Sequence, residues 1–393
     1  MENIEIIKEI DDQDVYKKYM QYFFIKQGLG DVIVEYEFFN RGGTKFTPHF
    51  KEFLEFQINQ MALLYWSQPL IESLKSKCPF LPDSYFEYLK TEYYNPKEVT
   101  ITQEGEDISI KIKGPIKSAI NWEVPLMAVI SELNNMSKGV KFDSENKRVE
   151  TYLKKYNGFK DLGVKVSEFG TRRRASLFLQ NESLFYLKKI APECLTGTSN
   201  ISLGRRHDLP LKGTIAHEVY MFYAALYGLE NANQLVTKQW WETFGANVDT
   251  ILPDTFTSPY FFKTIEPEYL EKFRAIRQDS MEPKEFTDLI VNHYNSLNIN
   301  PKTKTVIYSD NINSLEKLKE IHEYVQKFVN PTYGIGTWLS NDCGSEKMNM
   351  VIKLTALYLP NGKIPCAKLS DIIGKITGDK ETAYKYIKQI ETK

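Results

Sequence analysis

Thr305-Val306-Ile307-Tyr308-Ser309-Asp310-Asn311 decides the fold. Four β-branched or aromatic residues read as a short strand, and the run stops on a hydroxyl, an acid and an amide. Helical spacing then runs over residues 314–328. Strand, polar cluster and helix make one βα unit, and the order recurs on both sides. Residues 164–168 lead into Phe169-Gly170-Thr171-Arg172-Arg173-Arg174 and a helical stretch over 174–189. Residues 193–196 lead into Gly197-Thr198-Ser199-Asn200. Gly213-Thr214-Ile215-Ala216-His217-Glu218 lies in a helical stretch read over 212–229. Residues 248–252 precede Pro253-Asp254-Thr255. Residues 274–277 precede Gln278-Asp279-Ser280 and a helix over 284–297. Residues 332–335 run into Gly334-Ile335-Gly336-Thr337.

Strands alternating with helices imply parallel βαβ units, and about six of them fit a closed or irregular barrel. The fold class is α/β: an irregular, TIM-like β/α barrel with an α+β N-terminal domain. Chemistry in such barrels sits at the C-terminal ends of the strands, where these clusters fall. The N-terminal part mixes a helix over 14–27, a strand over 32–39, helices within 50–74 and a hairpin over 99–112 turning at Glu104-Gly105-Glu106-Asp107. A helix over 122–133 follows, with Pro125 in its first turn. Residues 146–161 form a polar, Lys-rich helix or linker. The strand over 350–359 returns toward the first domain. The boundaries are 1–140, 141–345 and 346–393.

Composition narrows the function. The 393 residues are 42% hydrophobic, ordinary for a soluble globular protein. Fifty Lys and Arg balance 51 Asp and Glu, so nothing advertises nucleic acid or a membrane surface as a partner. Cys78, Cys194, Cys343 and Cys366 lack the spacing of a zinc ribbon or redox dithiol and read as buried thiols. The acidic start MENIEIIKEIDDQD is no signal peptide, and no apolar run spans a membrane. The expected location is the cytoplasm.

Each cluster has a chemical reading. Arg172-Arg173-Arg174 offers guanidinium groups for carboxylate or phosphate, against solvated arginines at a helix start. Gly334, Gly336 and Thr337 suit a phosphate, since glycine amides approach closely and threonine adds a donor. His217 is a base, a nucleophile or a structural residue, with Asp254 and Asp279 at other strand ends available to orient its ring. The histidines never occur at i, i+4 spacing, which disfavours a metal site. Asp310 suits ribose hydroxyls, because Asn313 or Ser314 serves to cap the next helix. Trp240-Trp241 and Tyr93-Tyr94 read as core or interface.

In order and spacing these motifs resemble the nicotinate phosphoribosyltransferase family, together with Asp14-x-Tyr16-Lys17-x-x-Met20, Trp122-Glu123-Val124-Pro125-Leu126, Val351-Ile352-Lys353-Leu354 and Ala367-Lys368-Leu369-Ser370-Asp371. The resemblance covers nearly the whole chain. It implies transfer of phosphoribosyl from phosphoribosyl pyrophosphate to nicotinate, with ATP hydrolysis coupled through a phosphohistidine at His217, and magnesium accompanying the phosphates. It implies that Phe169 and Tyr16 sandwich the pyridine ring, Tyr16 reaching across from a second subunit of a homodimer whose sites lie at the interface. Arg172 and Arg277 would face the nicotinate carboxylate or the pyrophosphate. Asp279 and Asp310, with Ser309, would hold the ribose end. Gly334, Gly336 and Thr337 would hold the 5′-phosphate, and Thr198 and Ser199 the base. Asp254 is the candidate for fixing the His217 tautomer, with Asp279 beside it in catalysis. The nicotinamide-specific relatives carry an acid at the position of Ser199, so Ser199 favours the acid substrate. Met281 and Glu282 depart from the family's usual Gly-Asp. A transferase for nicotinamide or quinolinate, and a binding barrel without catalysis, are the rival readings.

Overall fold

The computed structural model describes residues 4–372 and 375–392; the first three residues of the acidic start lie outside them. In chain order the strands are β1 (Ile33–Asn40), β2 (Val99–Glu104), β3 (Asp107–Pro115), β4 (Val166–Glu168), β5 (Leu195–Thr198), β6 (Thr250–Ile251), β7 (Ala275–Gln278), β8 (Thr305–Tyr308), β9 (Asn330–Ile335), β10 (Met350–Leu359), β11 (Gly362–Pro365), β12 (Ala367–Lys368) and β13 (Thr377–Gly378). Among the described residues they form three sheets. The barrel sheet has six parallel strands in the order β5-β4-β9-β8-β7-β6. Its ladder stops at β5 and β6, so the barrel is irregular.

The second sheet, β11-β10-β1-β3-β2, is antiparallel. Here the C-terminal chain rejoins the N-terminal part: β10 pairs with β1 from Ile33↔Tyr358 to Asn40↔Met350. The hairpin turns at Gly105, whose φ of 60° suits glycine. β12 and β13 form a small antiparallel pair.

The N-terminal helix Val15–Lys26 buries Met20, Phe23 and Phe24 completely. Phe24 meets Phe222 at 4.8 Å between ring centroids, and Phe23 meets Trp240 at 5.3 Å. Aromatic pairs at such spacings add to area burial. They fix Tyr16, one residue into this helix, relative to His217, which opens the helix His217–Tyr227. The helix read over 212–229 therefore starts later. Residues 212–216 lie outside the helix, and a side chain at Gly213 would come 3.0 Å from Tyr16 and Val15. A further helix, Leu229–Phe244, carries Trp240, which is core as read and donates to the Val248 carbonyl. Ser314 caps Leu315–Val325 by accepting from the Lys317 amide. All four cysteines are free and buried. Among the described residues no helix is long and apolar enough to cross a membrane.

The three consecutive arginines separate. Arg174 is fully buried and forks onto both oxygens of Asp12 at 2.8 Å while donating to Glu132 at 2.5 Å. It ties the N-terminal strap to the barrel, and the surface reading does not hold for it. Arg173 donates to the Met350 carbonyl, at the start of β10. Arg174→Ala leaves two buried carboxylates without their cation, a loss of about 3–5 kcal/mol. Chemical denaturation should show it, and a change below about 1 kcal/mol would contradict this role.

Candidate active site

Two adjoining cavities open at the C-terminal ends of the barrel strands. The first, about 730 Å³, has Tyr16 and Phe169 in its walls with Ile352 and Leu354. The second, about 2040 Å³, is lined by eight lysines and arginines against two carboxylates, Asp279 and Asp310. Such a surplus of cations is a site for a polyanion. Phe169, Arg172, His217, Arg277, Asp279 and Lys353 line both.

Glycines shape these walls. A side chain at Gly334 would come 2.5 Å from the Phe169 ring. Gly334 thus makes room for an aromatic wall as well as offering a backbone to the second cavity. Gly336 and Thr337 line that cavity too, as do Ser309 and Asp310. Asp310 has a partner that the sequence did not reveal: it accepts from Lys375 at 2.8 Å. Arg277 is held from three sides, donating to Asp279 at 2.6 Å, to Ser309 at 2.9 Å and to Thr214 at 3.4 Å. Thr198 does not line either cavity. It is fully buried, and its hydroxyl donates to Glu168 at 2.6 Å and accepts from the Asn200 amide at 3.1 Å.

His217 sits at the junction, and its surroundings correct one expectation. Asp254 does not hydrogen-bond the ring: its nearest oxygen is 3.7 Å from Nε2, too far. It accepts from Ser280 at 2.6 Å and from Lys368 at 3.3 Å instead. The residue on Nδ1 is its neighbour Thr255, Oγ1 at 3.0 Å. Asp279, the other carboxylate read as available to orient the ring, does lie against the imidazole, Oδ2 at 2.9 Å from Nε2. Lys368 Nζ is 2.8 Å from the same nitrogen. An ammonium only donates and an ionised carboxylate only accepts, so each asks for a different tautomer. The Thr255 hydroxyl serves either.

Burial, and after it the Lys368 ammonium, push His217 down to about 4, so the ring is neutral at pH 7. Burial works to raise Asp279, but Arg277 and His217 override it and hold that carboxyl well below the usual range. Thr255 is itself gripped. The amides of Leu369 and Ser370 donate to its carbonyl at 2.9 and 3.3 Å. Thr257 and Ser370, with φ of 72° and 70°, hold the two loops in a conformation that non-glycine residues rarely adopt.

Behind His217 lies a buried ion cluster. Lys17 bridges Glu123 and Glu218, the latter at 2.5 Å, and the Tyr36 hydroxyl donates to Glu218 at 2.6 Å. Lys353 faces both cavities, and burial pushes it down to about 8 against the pull of Glu123. Sequence spacing had no means to single out Thr255, Lys368, Lys353 or Asp14, because their partners lie far along the chain. Their only signal was membership of short family-like motifs. Tyr16 lines the first cavity of its own chain.

His217, Asp254 and Asp279 offer ligand atoms within 4.8 Å of one another. Lys368 already lies 3.3 Å from Asp254 and 4.0 Å from Asp279, Arg277 pairs with Asp279 at 2.6 Å, and magnesium prefers an oxygen shell. These three residues do not fit a resident magnesium ion in this arrangement. Met281 and Glu282 line neither cavity. Met281 is not among the residues with positive φ and needs no glycine geometry, while Glu282 pairs on the surface with Lys317.

Family models match most of the chain. The nicotinate phosphoribosyltransferase family model covers residues 164–390, and that family's N-terminal domain model covers 12–131. The chain belongs to this family. A nicotinate phosphoribosyltransferase of Chromohalobacter salexigens is 37% identical, with 94% of each chain covered. That of Desulforapulum autotrophicum is 36% identical over 98% of this chain and 99% of its own. The crystal structure of the Porphyromonas gingivalis enzyme superposes with a TM-score of 0.94 at 32% identity, covering 98% of this chain and all of that one. A structure from Saccharomyces cerevisiae, described as a putative nicotinate phosphoribosyltransferase, gives 0.93 at 30%, with both chains fully covered.

Two outcomes follow from this geometry. Gly334→Ala should displace the Phe169 ring and weaken ligand binding in the aromatic cavity, by about tenfold for a cost near 1.4 kcal/mol; unaltered affinity would remove the packing role. Lys368→Gln takes away a neighbouring cation, so the His217 midpoint should move up from about 4 toward the ordinary 6.5. An imidazole NMR titration reads it, and an unmoved midpoint would mean that burial alone sets the value.

Proposed function

We propose that the protein is a nicotinate phosphoribosyltransferase that transfers phosphoribosyl from phosphoribosyl pyrophosphate to nicotinate, coupled to ATP hydrolysis through phosphorylation of His217. The observation that carries this reading is that His217, a neutral imidazole, lines both the aromatic cavity and the cation-lined one. A flat pyridine fits between Tyr16 and Phe169. Polyphosphate fits the second cavity, and magnesium enters with it as its counter-ion. The nicotinate ring nitrogen attacks the anomeric carbon, and the bond to pyrophosphate breaks. Positive charge develops on the sugar and negative charge on the leaving group. Asp279 and Asp310 offset the first, and the arginines and lysines the second. Holding both ligands in one cleft supplies much of the remaining rate.

For phosphoryl transfer, Lys368 donating to Nε2 keeps the ring proton on Nδ1, which donates to Thr255 Oγ1, so Nε2 carries the lone pair. That nitrogen takes the γ-phosphoryl group as ADP leaves, and water later releases it as phosphate. A homodimer belongs to the same reading. Nicotinamide is the second reading, favoured by one observation: Asp14 places a carboxylate, an acceptor for an amide, beside Ser199 in the aromatic cavity.

Purified protein incubated with phosphoribosyl pyrophosphate, magnesium, ATP and either base tests both. Nicotinate mononucleotide together with ADP is the expected outcome, and His217→Ala should keep slow synthesis while losing ADP formation. Turnover of nicotinamide alone would favour the second reading, and unchanged ATP consumption in the variant would sink the phosphohistidine.

A further inference from the structure

Asp14 is an obstacle to an acid substrate. Its side chain lines the aromatic cavity, is almost wholly buried and accepts from Ser199 Oγ at 2.9 Å. Ser199 lines the same cavity. A serine hydroxyl has one proton, and here it is used on Asp14. The Ser199 oxygen then presents only lone pairs to a ligand. A nicotinate carboxylate also has only lone pairs, so the ligand-free direction of this hydrogen bond does not receive it.

The pair cannot simply swing apart. Asp14 forms a backbone bridge with Asn200, and the Val15 amide donates to the Ser199 carbonyl at 2.8 Å. A proton on Asp14 resolves the conflict by reversing the chain of donors. Asp14 O–H then donates to Ser199 Oγ, and Ser199 O–H donates to the ligand carboxylate.

We propose that Asp14 takes up one proton from solvent when nicotinate binds, so that Asp14 and Ser199 together form a proton-linked acid recogniser. The proposal rests on the reading that nicotinate occupies this cavity.

The surroundings favour the protonated state. Burial is the largest influence on Asp14 and raises it, and Glu123 adds to the rise; hydrogen bonds from Thr171 and Ser199 and the charge of Arg172 oppose it in part. Tyr16 on its own helix and Glu168 at the end of β4 also face it. The charge of an arriving carboxylate works in the same direction as burial. The sign follows. Where Asp14 is ionised in the free protein, binding must first load a proton, so affinity falls as pH rises. One other group in the cavity mimics this: Lys353, held near 8 by burial, also gains a proton when an anion arrives.

Calorimetry of nicotinate binding, in buffers of different ionisation heat between about pH 6 and pH 9, counts the protons. Wild type should take up about one proton over part of that range, with Kd rising about tenfold per pH unit there. In Asp14→Asn the amide donates to Ser199 without a proton, so the uptake should vanish below about pH 7.5 and Kd should flatten. Ser199→Ala should lose the same uptake and bind nicotinate more weakly, and it decides the matter if the Asp14 variant does not fold. Equal uptake in wild type and the variants assigns the proton to Lys353 and overturns the proposal, as does binding without uptake at any pH. The complete absence of nicotinate heat would bring down the functional reading with it, and that result is distinguishable from binding without protons.

Discussion

The antiparallel pairing of β1 with β10 is the constraint on which the site depends. It returns the C-terminal chain to the N-terminal sheet. Lys353 lies within β10, and Lys368 lies on β12, directly after the hairpin that β10 makes with β11. Tyr36, on β1, reaches Glu218 beside His217. One ladder therefore brings in two lysines and a tyrosine from the ends of the chain. Without it the barrel loops would keep His217 and Asp279 but lose the cation between them.

That cation sets the electrostatics. His217 is kept neutral by burial and by an ammonium on Nε2, while Asp279 is kept ionised by Arg277. The charged partners lie within 3 Å of the same nitrogen. The Thr255 hydroxyl on Nδ1 can donate or accept and so serves either tautomer of the ring. The strained residues Thr257 and Ser370 lie in the two loops that hold this arrangement, which is where backbone strain tends to be stored.

The base end works by different means. Aromatic walls are set by close backbone approach at Gly213 and Gly334. Its polar wall is a buried carboxylate and a serine whose single proton must point one way or the other. The two cavities thus differ: eight lysines and arginines line the second, whereas a buried carboxylate–hydroxyl pair stands in the wall of the first.

Much of this was legible along the chain. The strand over Thr305–Tyr308, the hairpin at Gly105 and the loops bearing Phe169, Asp279 and Gly336 all follow from local periodicity and turn chemistry, which act over a few residues. The sequence by itself determined which elements form and which polar clusters stand at strand ends. Only the tertiary structure decided who meets whom. It put Thr255 rather than Asp254 on the imidazole, buried Arg174 among acids, placed Thr198 on Glu168 outside both cavities, and brought Lys368 across 151 residues to His217. The physical reason is range: periodicity reports the face on which a side chain lies, whereas hydrogen-bond partners are chosen by the path of the whole chain through space.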